Sequence, residues 1–267
     1  MQDAIEARYA AFRELLENSG NWTGDTVYRE AVKSLGSLEP TKEGIEEFAN
    51  SLRHNWLQYW QGNQRFSSTG YFFSALVNRA EEKKDQEIIL NFGEVKWNAY
   101  KFPLGSKMSG LGYMFPRGRL VVVGGADDFG RCQIGGNLHL VGNAIYGVNL
   151  GQIGGETVIE GHSGTATGIG KIAGVTKAME CGPQVAESGS GGLVEAEVVR
   201  GGLTGLRNKG TVIKCKGSIF GNNTADLMES GEIYAAFIEH LAPKERIGRD
   251  AKIFTGSEGN YRQISPE

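Results

Sequence analysis

Cysteine is scarce in this 267-residue chain. Cys132, Cys181 and Cys215 are odd in number, far apart and without Cys-x-x-Cys spacing, which argues against a zinc site, an iron–sulfur cluster or a disulfide framework. Buried reduced thiols are the expectation. No apolar run approaches the ~20 residues that span a bilayer. The stretch from Met1 to Leu15 is amphipathic and charged and lacks the apolar centre of a signal peptide, so a cytoplasmic location is expected. An excess of one charge is missing too. With 28 basic against 31 acidic side chains the net charge is −3, which gives no field to gather nucleic acid or anionic lipid. There is no Gly-x-x-x-x-Gly-Lys-Ser/Thr phosphate loop and no Gly-x-Ser-x-Gly elbow, and neither a cofactor nor a metal is implied.

What the chain does have is glycine. Its 40 glycines are roughly twice the usual ~7% share, the mark of a backbone that turns sharply and often. They are unevenly placed: residues 1–100 hold 7 of them, with 11 basic and 15 acidic side chains, whereas residues 105–231 hold 30. The pattern predicts a helical N-terminal region over 1–102, a glycine-rich part over 103–242 and a polar C-terminal tail over 243–267.

In the first region the apolar period is helical. Ile5, Tyr9, Phe12 and Leu16 form one stripe before Gly20, and a weaker helix follows Thr26. Ile45, Phe48, Leu52, Trp56 and Trp60 form the strongest stripe, opened by Pro40-Thr41 with Thr41 as N-cap and closed by Gly62. Another helix begins near Ser68, with Phe72, Phe73, Leu76, Val77 and Ala80 inward. Ile88-Ile89-Leu90 and the stretch from Trp97 to Phe102 read as strands.

From there short apolar strands alternate with glycine pairs, and the segments superpose. Arg117-Gly118-Arg119-Leu120-Val121-Val122-Val123-Gly124 aligns with Gly135-Gly136-Asn137-Leu138-His139-Leu140-Val141-Gly142 and with Gly154-Gly155-Glu156-Thr157-Val158-Ile159-Glu160-Gly161. The closing glycines stand 18 and 19 residues apart. Looser copies run from Gly191 to Gly201, from Lys209 to Gly217 and from Ser230 to Phe237. One strand and several glycines every 18–20 residues is the signature of a solenoid, in which stacked coils bury a continuous apolar column. Period-2 alternation places Val194, Ala196, Val198, Ile213 and Cys215 inward and Glu195, Glu197, Lys214 and Lys216 outward. The fold class expected is α+β, a helical region capping one end of a parallel β-helix.

The run Ile134-Gly135-Gly136-Asn137-Leu138-His139-Leu140-Val141-Gly142-Asn143-Ala144, with Tyr146-Gly147 and Ile153-Gly154-Gly155 after it, resembles the GXGXG-repeat β-helix family. Its repeats occur in the C-terminal domain of the large chain of glutamate synthase and in formylmethanofuran dehydrogenase. The resemblance covers roughly residues 115–235. It implies a right-handed parallel β-helix that carries no catalytic residues and supports an oxidoreductase assembly.

Other motifs are weaker. Val121 to Gly130 looks like a strand entering a dinucleotide-binding turn, but no helix follows to meet a pyrophosphate. Asp127 and Asp128 are the only adjacent aspartates of the repeat region, and they motivate an alternative: a polysaccharide lyase or hydrolase working in the solenoid groove. His139 and His162 lie about one repeat apart without an established common face. Arg207, Lys209, Lys214 and Lys216 crowd one turn and form a candidate basic patch for an acidic protein partner. The first reading is a non-catalytic structural or assembly protein that engages a protein partner or its own copy, with no membrane or nucleic-acid role.

Overall fold

A computed structural model of the chain describes Glu14 and residues 23–36, 39–60, 69–81, 86–93 and 108–265, without the side chains of 53–60 and 81. The stripe over Ile5 to Leu16, the stop at Gly62, the strand over Trp97 to Phe102 and the side chains of Trp56 and Trp60 lie outside the described residues.

Among the described residues, three helices with described bounds precede the sheet. Helix α1, Gly24–Leu35, starts before the predicted Thr26 because Thr23 caps it, its hydroxyl accepting from the Thr26 amide at 3.4 Å. Helix α2, Lys42–Trp60, opens as expected at Thr41, whose hydroxyl accepts from the Gly44 amide at 3.2 Å. Helix α3, Thr69–Glu81, buries Phe72, Phe73, Leu76, Val77 and Ala80, the face its sequence period predicts. No helix among the described residues is long and apolar enough to cross a membrane.

Ten strands follow, paired in chain order in one sheet: β1 Glu87–Asn91, β2 Arg119–Ala126, β3 Asn137–Val148, β4 Glu156–Thr167, β5 Val175–Cys181, β6 Leu193–Arg200, β7 Lys209–Phe220, β8 Ser230–Ile238, β9 Asp250–Ser257 and β10 Asn260–Ser265. Strands β1 to β9 pair in parallel, Arg119 with Asn137, Asn137 with Glu156 and Glu156 with Val175. From β2 to β9 no α-helix intervenes. The connecting arms bond from coil to coil as well, with the Gly151 amide donating to Ile169 O and the Gly170 amide to Glu187 O, both at 2.8 Å. Backbone groups of strand and arm are thereby satisfied by the adjacent coils, and the chain is a β-solenoid.

Glycine is required where coils touch. Gly155 has φ +76°, and a Cβ there would lie 2.5 Å from Gly135 O of the preceding coil. Any side chain would push the coils apart.

Three features depart from the sequence reading. The polar tail is a further coil, because β9 joins the parallel ladder of β8 and β10 folds back on it as an antiparallel hairpin. Alternation slips at Glu197: Val199 is buried, whereas Val198 is only half-buried, because the β6–β7 register shifts between Ala196 and Val199. The interior column is also not wholly apolar. Ile88, Leu120 and Leu138 lead to Thr157 and Thr176 before Val194, Ile213, Ile233 and Ile253 resume it, every one of them buried.

The helices share their core with the first coils. Phe48 packs on Phe72 and Phe73, and Phe73 on Phe92, with ring centroids 5.3–6.2 Å apart. Ser74 Oγ donates to Gly110 O at 2.6 Å, Asn78 Nδ2 to Tyr113 O at 2.9 Å, and Tyr113 Oη to Asp25 at 2.8 Å. At the terminal strand, the Ile89 amide donates to the Glu46 carboxylate of α2 at 2.8 Å.

Candidate functional site

At one corner of the solenoid the usual order of polar outside and apolar inside is inverted. Three consecutive coils place Gln133-Ile134, Gln152-Ile153 and Lys171-Ile172 at equivalent positions, tied by Ile153 N to Gln133 O and Ile172 N to Gln152 O, each 2.8 Å.

Gln133, Gln152 and Lys171 point inward and are fully buried, together with Asn149, Thr157 and Thr176. Gln152 Nε2 donates to Gln133 Oε1 at 2.7 Å, Thr157 Oγ1 to the same oxygen at 2.8 Å, and Asn149 Nδ2 to Thr176 Oγ1 at 2.6 Å. Lys171 Nζ donates to Gln152 Oε1 and, at 3.1 Å, to Thr176 Oγ1. The amine has neutral oxygens around it, and burial lowers its pKa to about 7. The two threonines in the apolar column are there because this network needs hydroxyls, since an unsatisfied buried polar group is costly.

Ile134, Ile153 and Ile172 point outward and are 44%, 48% and 55% exposed. Small residues flank them: Gly135 and Gly136, Gly154 and Gly155, Ala173 and Gly174. Leu150 and Ile169, three residues before Ile153 and Ile172 in the same coils, are partly exposed as well and form a second aliphatic row across coils about 4.8 Å apart. Covering the exposed half of each isoleucine is worth roughly 1 kcal/mol, so the row favours a covered state.

The basic residues singled out from the sequence lie elsewhere, and they are exposed as expected. Lys209 meets Glu229 at 3.2 Å and Lys216 meets Glu197 at 2.6 Å. Lys214 stands in register between Glu195 and Tyr234, and Arg207 occupies a bend with φ +51°. The structure therefore sets acids of neighbouring coils among these cations.

His139 and His162 belong to separate networks. His139 lies between Arg119, whose guanidinium is 3.4 Å from Nδ1, and Glu160, 2.8 Å from Nε2. His162 meets Glu180 at 3.3 Å, and Glu180 also meets Arg200 at 3.0 Å. Beside His139 a shallow hollow of about 290 Å³ is lined by Arg119, Asn137, Glu156 and Val158, with one carboxylate in its wall. Asp127 and Asp128 diverge. Asp127 is half-buried and accepts from Ser109 at 2.8 Å, whereas Asp128 is buried, accepts from Tyr71 Oη at 3.1 Å and meets Arg131 at 3.5 Å. Burial raises the Asp128 pKa, opposed by Arg131 and the tyrosine hydrogen bond. Cys181 and Cys215 are buried free thiols pushed up to about 12 and about 11 by burial, while Cys132 is half-buried. Among the described residues no three His, Cys, Asp or Glu side chains gather closely enough to hold a metal.

Comparison with protein-family models, with curated proteins and with solved structures returned no match.

Proposed function

We propose that the protein is a non-catalytic assembly protein whose solenoid docks onto another protein surface through the inverted corner. The observation that carries this reading is the row Ile134, Ile153 and Ile172, held outward in register by a buried polar network. A chain that buries glutamine and lysine while exposing isoleucine at the same three coils gives up stability for that surface. The basic patch around Lys214 is a weaker docking surface, because two of its four cations, Lys209 and Lys216, are already paired with Glu229 and Glu197. The reading agrees with the support role implied by the GXGXG resemblance, including a right-handed winding, a place in an oxidoreductase assembly and a cytoplasmic setting. Within it, α2 caps the solenoid by satisfying the edge of β1 through Glu46.

The alternative, carbohydrate chemistry in a groove, fits less well. Glycoside hydrolysis uses two carboxylates that flank one bond, ~5–9.5 Å apart, and Asp127 and Asp128 enter different environments. The assembly reading is tested by sizing the full-length chain in native extract. The wild type should migrate well above its monomer mass, and Ile153→Asp should bring it down; a wild type already at monomer mass would overturn the proposal.

A further inference from the structure

The aliphatic patch ends in opposite charges. In the outward row that joins Leu150 and Ile169, the next coil toward the N-terminus contributes Arg131 and the next toward the C-terminus contributes Glu187, the order being fixed by Cys132 N to Leu150 O, Gly151 N to Ile169 O and Gly170 N to Glu187 O, all 2.8 Å. The row therefore reads Arg131, Leu150, Ile169, Glu187 along the solenoid axis. Reversed, it reads acid, aliphatic, aliphatic, base. The parallel row reads Ile134, Ile153, Ile172, Ser190, the last set by Ser190 N to Lys171 O at 2.7 Å.

Resting on the assembly reading above, we infer that the occupant of this corner is a second copy of the same chain, packed antiparallel about a twofold axis midway between the coils of Leu150 and Ile169. That operation puts Arg131 of one copy opposite Glu187 of the other, Leu150 opposite Ile169, and Ile153 opposite Ile172, with Ile134 opposite Ser190 at the rim, so that the central aliphatic pairs meet and each charge meets its opposite. The coil spacing is the same in both copies, so the rows stay in step over the whole patch. Arg131 already shares its charge with buried Asp128 through Nη1 at 3.5 Å, and its remaining guanidinium nitrogens, on a side chain 47% exposed, are left for a second acid; Glu187 accepts from Gln184 through Oε2 at 3.2 Å and keeps Oε1. An unrelated partner would have to supply both the spacing and the charge order, and a second copy has them already.

The test is the mass of the purified full-length chain by sedimentation equilibrium, with circular dichroism to confirm folding of each variant. The wild type should be a dimer, and Ile153→Asp should weaken it at least about tenfold. Arg131→Glu and Glu187→Arg should each weaken the homodimer through like charges, by about tenfold, and mixing the two variants should restore a dimer near wild-type affinity, because in the mixed pair both contacts are again opposite in sign. A wild type that stays monomeric to about 100 µM, a dimer indifferent to Ile153→Asp, or folded charge variants that fail to recover on mixing would overturn the inference. Should Arg131→Glu not fold, Ile153→Asp and Glu187→Arg decide it between them. A purified chain that is monomeric while Ile153→Asp still shrinks the species in native extract would end self-pairing and leave the assembly reading standing. If Ile153→Asp changes neither, both fall.

Discussion

Lys171 and Ile172 are adjacent in the chain and face opposite ways: the lysine amine is fully buried against Gln152 and Thr176, and the isoleucine side chain is 55% exposed. A left-handed residue at Gly170, φ +63°, sets up this corner. The inversion makes the inside of the solenoid sensitive to protons and leaves a row of aliphatic side chains outside.

The first consequence concerns pH. The Lys171 amine titrates at about 7 in the fold against an ordinary 10.5. Between those values the unfolded chain holds the extra proton, so stability rises with pH across this window, and below about 7 the cost of the buried charge is fully present. The gain from pH 7 to pH 9.5 should be roughly 3 kcal/mol. Lys171→Met should flatten this rise in urea denaturation curves, and equal slopes in the two proteins would contradict the burial argument.

Glycine positions separate by contact. At Gly155 an alanine Cβ would strike Gly135 O, whereas at Gly170 nothing lies within 4 Å. Gly170→Ala should cost about 1–2 kcal/mol, the ordinary penalty of a left-handed bend. Gly155→Ala should cost at least about 3 kcal/mol, since the coils must also separate. Denaturation midpoints of the two variants measure the difference, and equal midpoints would mean that the coils are not stacked as described.

The edge of β1 offers a third check. Removing the Glu46 carboxylate by Glu46→Ala leaves the Ile89 amide to water and should cost about 0.5–1.5 kcal/mol, because the bond is solvent-exposed, while Glu46→Gln keeps an oxygen there and should cost less. Hydrogen exchange at Ile89 should accelerate in the alanine variant and remain slow in the glutamine one.

Much of the fold is legible in the sequence because its signals are periodic. The glycine pairs before Asn137 and Glu156 mark strand starts, and the stripe of Ile45, Phe48 and Leu52 marks a buried helix face. The tail reads as merely polar because β9 carries the charges of Asp250 and Lys252 around buried Ala251 and Ile253, an alternation too short to stand out. The inverted corner escapes the pattern, because alternation stops at left-handed bends and no rule tells which of Gln152 and Ile153 turns inward. A signal is present nevertheless: Gln133-Ile134-Gly135, Gln152-Ile153-Gly154 and Lys171-Ile172-Ala173 recur at 19-residue steps, polar then isoleucine each time. For the basic patch, the outward direction of Lys214 and Lys216 follows from alternation, whereas the acids beside them depend on the coil-to-coil register, which only the structure supplies.

The most direct test of the assembly account is hydroxyl-radical footprinting of the full-length chain in native extract and again after dispersal. Ile134, Ile153 and Ile172 should be protected in the extract and become reactive on dispersal, with Phe237, 53% exposed on another part of the solenoid, as the reference for a side chain that stays open. If the three isoleucines are modified to the same extent in both states, nothing covers that corner and the account is wrong.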